Sequence, residues 1–411
     1  MAEKICFLAP DLVPVWSGIA TYTIGLLKNM PKDIAFHVLT TRRELPGVDQ
    51  EAEVSLLLRE IGANVKIYPV CRSTNTLFDH AKFQVACLKT IPELQRRIGF
   101  DLLHVNFPLM SELLLTITKR LRLPILSTIH TTIEGQHKGV KTGQTGISQL
   151  GQTDLANLFL NIPLRLAEQT CLSNYSRLIA TSHFIKKELI SCFPFIVKKD
   201  ISVVHNGVDT EFFHSTTDFG NGPIAKLKET NRPIVLFTGR FVASKDLPTL
   251  VRAIPQVVKE HPDVLFVFVG GGESLYYFQP LSHEIRQENC RFLGYLPRGD
   301  MPKVYSLASV YVLPTFYESF PLRLLESMAC ENAVVATGVC GIPEVVQSGE
   351  NGFLIPPENC VSLAETVNTL LEDPNLSRRV GEKARKTVIN GFSAKILAKK
   401  TLNVYKEFGN D

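Results

Sequence analysis

The 411-residue sequence predicts an α/β protein made of two doubly wound, Rossmann-like parallel-sheet domains facing each other across a cleft. Three observations carry that reading. Short, continuously apolar runs alternate with amphipathic helical stretches; the alternation stops once near the middle of the chain; and it then restarts. Runs that are apolar throughout, not at every second residue, mark strands buried on both faces, as parallel strands covered by helices are.

In the first half the strand candidates are Ile5–Ala9, Ala35–Thr40, Val65–Val70, Leu102–Val105, Ile125–Ile129, Leu178–Ala180 and Ile201–Val204, with helical stretches such as Ala81–Ile98 and Pro108–Leu121 between them. Strand, helix, strand in repetition means a parallel, doubly wound sheet. One stretch breaks the rhythm. Gly135–Asp154 holds five glycines, four glutamines and three threonines with no apolar period, which reads as a long loop, either a functional lid or a disordered segment. The pause comes at His205-Asn206-Gly207-Val208-Asp209, where Asn-Gly suits left-handed turn angles, and a polar stretch follows to Asn231. The second half supplies Pro233–Thr238, Val264–Val269, Arg291–Leu293, Val310–Leu313, Ala333–Ala336 and Phe353–Ile355. The expected division is therefore 1–208 for the first domain and 209–392 for the second, with 209–232 as linker. A terminal helix in 393–411, starting after Ser393, has no strand after it and is expected to cross back to the first domain.

Composition narrows the function classes. Nine cysteines are scattered without a Cys-x-x-Cys pair, as expected of reduced thiols in a cytoplasmic protein and not of disulfides or a zinc site. The N-terminus carries an acid at Glu3 and prolines at 10 and 14, so it reads as a first strand and loop and not as a secretory signal. No apolar run approaches the roughly 20 residues a membrane span needs. The net charge is +4, with the first 205 residues at +6 and the rest at −2. That basic first half suits an anionic acceptor or weak peripheral contact at the inner membrane face, through Arg96, Arg97, Lys119, Arg120 and Arg122, although scattered charges without an apolar stripe better describe a solvated helix surface. No arginine-rich run interleaved with aromatics occurs, so nucleic acid is not an expected partner.

Four constellations carry candidate chemistry. In Glu318-Ser-Phe-Pro-Leu-Arg-Leu-Leu-Glu326 the first acid follows a strand, at the carboxyl edge where open α/β sheets bind ligands. Ser319 is a candidate helix cap with Pro321 in the first turn. Eight residues of helix rise about 12 Å, too far for a glycosidase pair at roughly 5 to 9.5 Å; the acids either grip hydroxyls on two sugars of one ligand or are an exposed acid and a salt-bridged one. In Gly239-Arg240-Phe-Val-Ala-Ser-Lys245 two cations occupy a strand-to-helix loop, which is either solvated or a diphosphate site aided by a helix N-terminus. Gly18, before the first helix, lets backbone approach a phosphate, but the Gly-x-Gly-x-x-Gly of a dinucleotide oxidoreductase is missing. His130 ends a strand at the same kind of edge and reads as structural or functional. No acidic cluster for a divalent metal accompanies these motifs, and no cofactor or metal is expected.

Taken in order, Ser17-Gly18-Ile19, His130, Asn206–Asp209, Gly239-Arg240, Lys245, Phe292-Leu293-Gly294, Glu318–Glu326 and Thr337-Gly-Val-Cys-Gly341-Ile-Pro-Glu344 with Gly349-Glu-Asn-Gly352 resemble glycosyltransferase family four, retaining enzymes of the GT-B fold. The resemblance covers nearly the whole chain. It implies a nucleotide-sugar donor (UDP-, GDP- or ADP-linked), a saccharide or lipid-linked acceptor, retention of configuration and no metal. It implies that Gly18, Arg240 and Lys245 hold the diphosphate and that amides near Leu322 and Arg323 meet phosphate or sugar. Glu326 would accept from the ribose, Glu318 from the transferred sugar, with His130 near the reacting centre and backbone at Arg291, Phe292 and Gly294 holding the base. Three positions depart from the pattern: Pro321 stands where glycine is common and cannot donate an amide, Arg323 stands where a smaller residue is frequent, and Ser17 replaces one glycine of a pair. An epimerase on the same scaffold and a silent nucleotide-sugar-binding protein are the competing readings.

Overall fold

A computed structural model describes residues 2–12, 18–43, 50–62, 64–73, 77–106, 112–118, 122–143, 155, 158–220, 222–271 and 287–408. The chain forms two compact units. Unit 1 comprises 1–133, 162–207 and 394–411; unit 2 comprises 134–161 and 208–393. The C-terminal helix Ala394–Glu407 thus returns to unit 1, burying Leu397, Ala398, Val404 and Tyr405. The segment 134–161, expected in the first domain, groups with unit 2.

Unit 1 is built on a seven-stranded sheet of β1 (Lys4–Leu8), β2 (Ala35–Arg43), β3 (Val65–Ser73), β4 (Leu102–Asn106), β5 (Ile125–Ile129), β6 (Arg177–Ala180) and β7 (Ile201–Val203), in the order β3-β2-β1-β4-β5-β6-β7. Every pairing is parallel. β4 is buried at all five positions, the consequence of helices on both faces. One core gathers Leu8, Phe83, Cys87, Ile91 and Leu103; another gathers Leu172, Leu178, Ile185 and Leu189.

Unit 2 carries a six-stranded parallel sheet of β8 (Ile234–Arg240), β9 (Leu265–Gly271), β10 (Cys290–Gly294), β11 (Val310–Leu313), β12 (Val334–Thr337) and β13 (Phe353–Ile355), ordered β10-β9-β8-β11-β12-β13. Strand order reverses between β8 and β11, the kind of position at whose carboxyl edge open α/β sheets bind ligands. The helix Leu247–Glu260 buries Leu247, Leu250, Ala253, Ile254 and Val257, the face its periodicity predicts. The glycines closing β9 serve close packing: Gly270 has φ +121°, and a Cβ there would overlap the Gly239 carbonyl beside it.

Several local expectations change. Residues 135–143, read as the start of a loop, lie in the helix Ile133–Gly143; residues 144–154 lie outside the described set. The helix is possible because Gly135, Gly139 and Gly143 share one face, and side chains there would collide with Tyr317 and the Ala243 carbonyl. The helix expected over Pro108–Leu121 is described as Leu113–Thr118, with its flanks outside the described residues. Neither Asn206 nor Gly207 takes a left-handed angle. Val208 instead bridges Ser393, and Asp209 Oδ1 accepts from the amides of Glu211 and Phe212 at 3.0 and 3.2 Å. All nine cysteines are free thiols. Among the described residues no helix is long and apolar enough to cross a membrane.

Candidate functional site

In unit 2 the site grows from the reversal between β8 and β11. Each strand ends in a loop, and the two loops are laced together. Thr315 Oγ1 donates to the Ser244 carbonyl at 2.8 Å, and the Phe316 amide donates to that carbonyl at 2.9 Å. Thr337, at the end of β12, locks Thr315 from the other side, with its Oγ1 accepting from the Thr315 amide at 3.1 Å and donating to the Thr315 carbonyl at 2.7 Å. This lacing brings Lys245 against Glu318, whose carboxylate accepts from the lysine Nζ. The two side chains are 17% and 19% exposed, so the pair is mostly enclosed but still reaches the surface. Arg240, the last residue of β8, is exposed.

The stretch 318–321 is not helical. The Gly341 amide donates to the Glu318 carbonyl at 3.1 Å, and a Cβ on Gly341 would overlap the Ser319 carbonyl. The helix begins at Leu322 with Pro321 as its cap residue and no side-chain cap bond, so Ser319 does not cap it. The Leu322 amide donates to the Phe320 carbonyl at 3.1 Å, which occupies the first of the two amides expected to meet a ligand. Glu326 lies one turn inside, fully buried. Its Oε2 accepts from Arg323 Nη1 and from the Tyr305 hydroxyl, both at 2.8 Å, whereas its buried Oε1 has no hydrogen-bond partner among the described residues. Arg323, which stands where a smaller residue is frequent, therefore pairs with Glu326. That pairing, with burial opposing it, drives the guanidinium even further above its ordinary range.

β10 is the edge strand among the described residues, pairing with β9 alone. Phe292 stacks on Phe268 with ring centroids 4.8 Å apart. Gly294 takes φ +66° at a register shift in the ladder, a bulge that only glycine enters without strain. Arg291 is exposed and its Nη1 reaches its neighbour's carbonyl, Cys290 O, at 2.8 Å. The outer edge of β10 can offer main-chain donors and acceptors to a planar base.

In unit 1, Gly18 is the first residue of the helix Gly18–Lys28; Val13–Ser17 lie outside the described residues. His130 follows β5 and is buried. Its Nε2 bonds Asn106 Oδ1, while Asn106 Nδ2 donates to Thr23 Oγ1 at 2.6 Å. With the amide oriented this way, Nε2 carries the proton and Nδ1 keeps its lone pair. Burial pushes the imidazole down to about 3, so it is neutral and works as a hydrogen-bonding group, not as an acid. Tyr22 stands edge-on to its ring at 4.7 Å.

A second buried histidine had no sequence signal. His104, inside the apolar run of β4, bonds Tyr405 OH through Nδ1 at 2.6 Å and Thr128 Oγ1 through Nε2 at 2.8 Å. Tyr305, the partner of Glu326, was missed as well. It sits in an ordinary amphipathic helix, Met301–Leu307.

Comparison with known proteins bears on the family and the fold. The sequence model described as "Glycosyl transferases group 1" matches residues 223–387, and "Glycosyltransferase Family 4" matches 16–212. The chain is 32% identical to alpha-maltose-1-phosphate synthase of Mycolicibacterium smegmatis over 58% of its own length and 65% of that protein's, so it spans just under two thirds of this relative. It is 25% identical to an uncharacterised glycosyltransferase of Methanocaldococcus jannaschii over 98% of both chains. Among solved structures, sucrose-phosphate synthase of Thermosynechococcus elongatus superposes with TM-score 0.77 at 20% identity over 99% of each chain. Anabaena HepE, solved with UDP and glucose, gives 0.70 at 20% identity over 99% and 100%. Both structures share the GT-B fold with this chain.

Proposed function

Because this chain belongs to the group 1 and family 4 glycosyltransferases, we propose that it moves a hexosyl group from a UDP-, GDP- or ADP-sugar to a hydroxyl of a saccharide or glycolipid acceptor. In this reading transfer retains the anomeric configuration and needs no metal. The observation that carries the proposal is the meeting of Lys245 and Glu318 at the β8/β11 reversal, on the same unit as Arg240 and the buried Glu326.

Arg240 and Lys245 hold the diphosphate and offset the charge that grows on it as the bond to the sugar breaks, the largest contribution such a site can make. Glu326 Oε1 accepts from a ribose hydroxyl, and Glu318 accepts from the transferred sugar. The edge of β10 at Arg291, Phe292 and Gly294 holds the base through main-chain groups, and the amide of Arg323 is left to meet phosphate or sugar. From unit 1, Gly18 admits a phosphate to its helix N-terminus, and His130, neutral, orients a sugar hydroxyl. The acceptor oxygen attacks the anomeric carbon on the face the diphosphate leaves, and its proton passes to the departing phosphate oxygen. In this reading the fixed cations do the work of a divalent ion.

The test is a thermal-shift screen of UDP, GDP, ADP and their sugars, followed by transfer assays with the donor that stabilises the protein most. The proposal expects one donor series to raise the melting temperature, Lys245→Ala to lose transfer, chelator to have no effect, and the product anomer to match the donor's. Normal transfer by Lys245→Ala, or an inverted product, would discard it. Conversion of the sugar-nucleotide without acceptor would point to an epimerase; binding without transfer would point to a silent binder.

A further inference from the structure

The carboxylate of Glu326 is held from behind by a chain of hydroxyls reaching across the sheet. Tyr305 donates to Oε2 at 2.8 Å; Thr238 Oγ1, next to the end of β8, lies 3.0 Å from the Tyr305 oxygen; Tyr311 OH, on β11, lies 3.1 Å from Thr238 Oγ1. All four side chains are buried. Each hydroxyl has one proton, and a carboxylate oxygen can only accept. Tyr305 therefore donates to Glu326 and Thr238 to Tyr305, while the Tyr311 proton faces both Thr238 Oγ1 at 3.1 Å and the Thr238 carbonyl at 3.4 Å. Burial, and for Tyr305 the adjacent carboxylate, push both phenols above their ordinary range, so the protons stay in place. A chain with every donor pointing one way polarises itself toward its end.

Two donors meet Oε2, and they differ in kind. Arg323 is 32% exposed and holds Oε2 from the solvent side. Tyr305 is fully enclosed, its ring edge-on to Phe213 at 6.2 Å and to Tyr311 at 5.9 Å, and its carbonyl bonded by Asn332 Nδ2 at 3.0 Å. It cannot turn. Glu326 Oε1, buried and without a partner among the described residues, is the oxygen that this arrangement leaves unclaimed, and a buried acceptor without a donor is costly until one arrives.

We propose that Tyr305 is the positioning residue for Glu326: it pins Oε2 so that Oε1 is presented to a ribose hydroxyl of the donor nucleotide. The inference rests on the reading of Glu326 as the ribose acceptor and adds the residue that fixes its aim.

Calorimetric titration separates the two. Wild type, Tyr305→Phe, Thr238→Val and Glu326→Gln are each titrated with UDP, GDP and ADP and with the 2′,3′-dideoxy counterpart of each. For the nucleotide that wild type prefers, Tyr305→Phe should bind about tenfold more weakly, as loss of a hydrogen bond to a charged group implies. Its affinity for the dideoxy counterpart should stay within twofold of wild type. Thr238→Val, one link back, should lose two- to threefold with the same dependence on the ribose, and it carries the test alone if Tyr305→Phe does not fold. Equal losses for both ligands, or no loss for either, while Glu326→Gln still discriminates the ribose, would overturn the role of Tyr305. If Glu326→Gln loses equally with both ligands, or wild type does not distinguish ribose from dideoxyribose, the ribose reading of Glu326 falls first and this inference with it.

Discussion

The ion pair of Lys245 and Glu318 gives Glu318→Gln an unusual expected sign. Glu318 holds the ammonium that the proposed diphosphate needs, so a nucleoside diphosphate competes with this carboxylate for Lys245. Both partners are less than a fifth exposed, which places the pair at the upper end of the 0.2 to 1 kcal/mol measured for exposed pairs, about 1 kcal/mol. Removing the carboxylate charge should return that amount to the ligand, tightening UDP (or whichever of UDP, GDP and ADP binds) about fivefold. Turnover should meanwhile fall by two orders of magnitude or more, because the group expected to accept from the transferred sugar is weakened. Lys245→Met should weaken the diphosphate roughly 50-fold, the loss of charge-assisted bonds worth about 2 to 3 kcal/mol. The double variant decides the cause. If Glu318 acts by holding Lys245, Lys245→Met/Glu318→Gln binds as Lys245→Met does. If it acts by repelling phosphate directly, the double variant regains affinity over Lys245→Met. Calorimetry at two salt concentrations reads all four proteins, and Glu318→Gln with unchanged melting temperature but weaker UDP binding would refute the competition.

Two further outcomes concern stability. Burial lowers both His104 and His130 to about 3, below the ordinary 6.5, so between those values the unfolded chain binds protons that the folded chain refuses. Stability contributed by the neutral rings is present above about pH 6.5 and is lost as pH falls toward 3, by up to about 1.4 kcal/mol per pH unit for each histidine. Urea midpoints from pH 7 to 4 should fall accordingly, and a flat profile would contradict the neutral burial of both rings. Gly270→Ala places a methyl on the Gly239 carbonyl at a positive φ and should cost about 2 to 4 kcal/mol in thermal or urea unfolding. Gly299→Ala, with open space around it, should stay within about 0.5 kcal/mol; equal effects at the two glycines would undo the close-approach argument.

The sheets could be read from sequence because burial on both faces leaves a linear trace. β9 is buried at all seven positions, and no loop or surface helix imitates such a run. The helix Ile133–Gly143 left no such trace: the face it packs with is made of Gly135, Gly139 and Gly143, which look like loop residues to any hydrophobic period. Ser319 had the chemistry of a cap, but the approach of Gly341, 22 residues later, holds 318–320 out of the helix. His104 and Tyr305 were silent for a related reason. Their partners lie 24 and 301 residues away for His104 and 21 and 67 for Tyr305, and only the order of the strands determines which distant residues become neighbours.

That order also explains why the candidate residues of unit 2 gather where they do. β8 leads outward through β9 to β10, and the chain then returns to start β11 on the other side of β8. The loops leaving β8 and β11 meet at this reversal, where the Ser244 carbonyl accepts from Thr315 and Phe316, at the carboxyl edge where open α/β sheets bind ligands. Lys245 and Glu318, 73 residues apart, become partners because they stand at the mouths of these two strands. Thr238 and Tyr311 stand just beneath, on the same two strands, and pass the alignment down to Tyr305 and Glu326. One topological reversal thus supplies both the meeting of Lys245 with Glu318 and the buried hydroxyl chain behind Glu326, and a substitution at Thr238 should be felt at Glu326 although the two side chains are linked only through Tyr305.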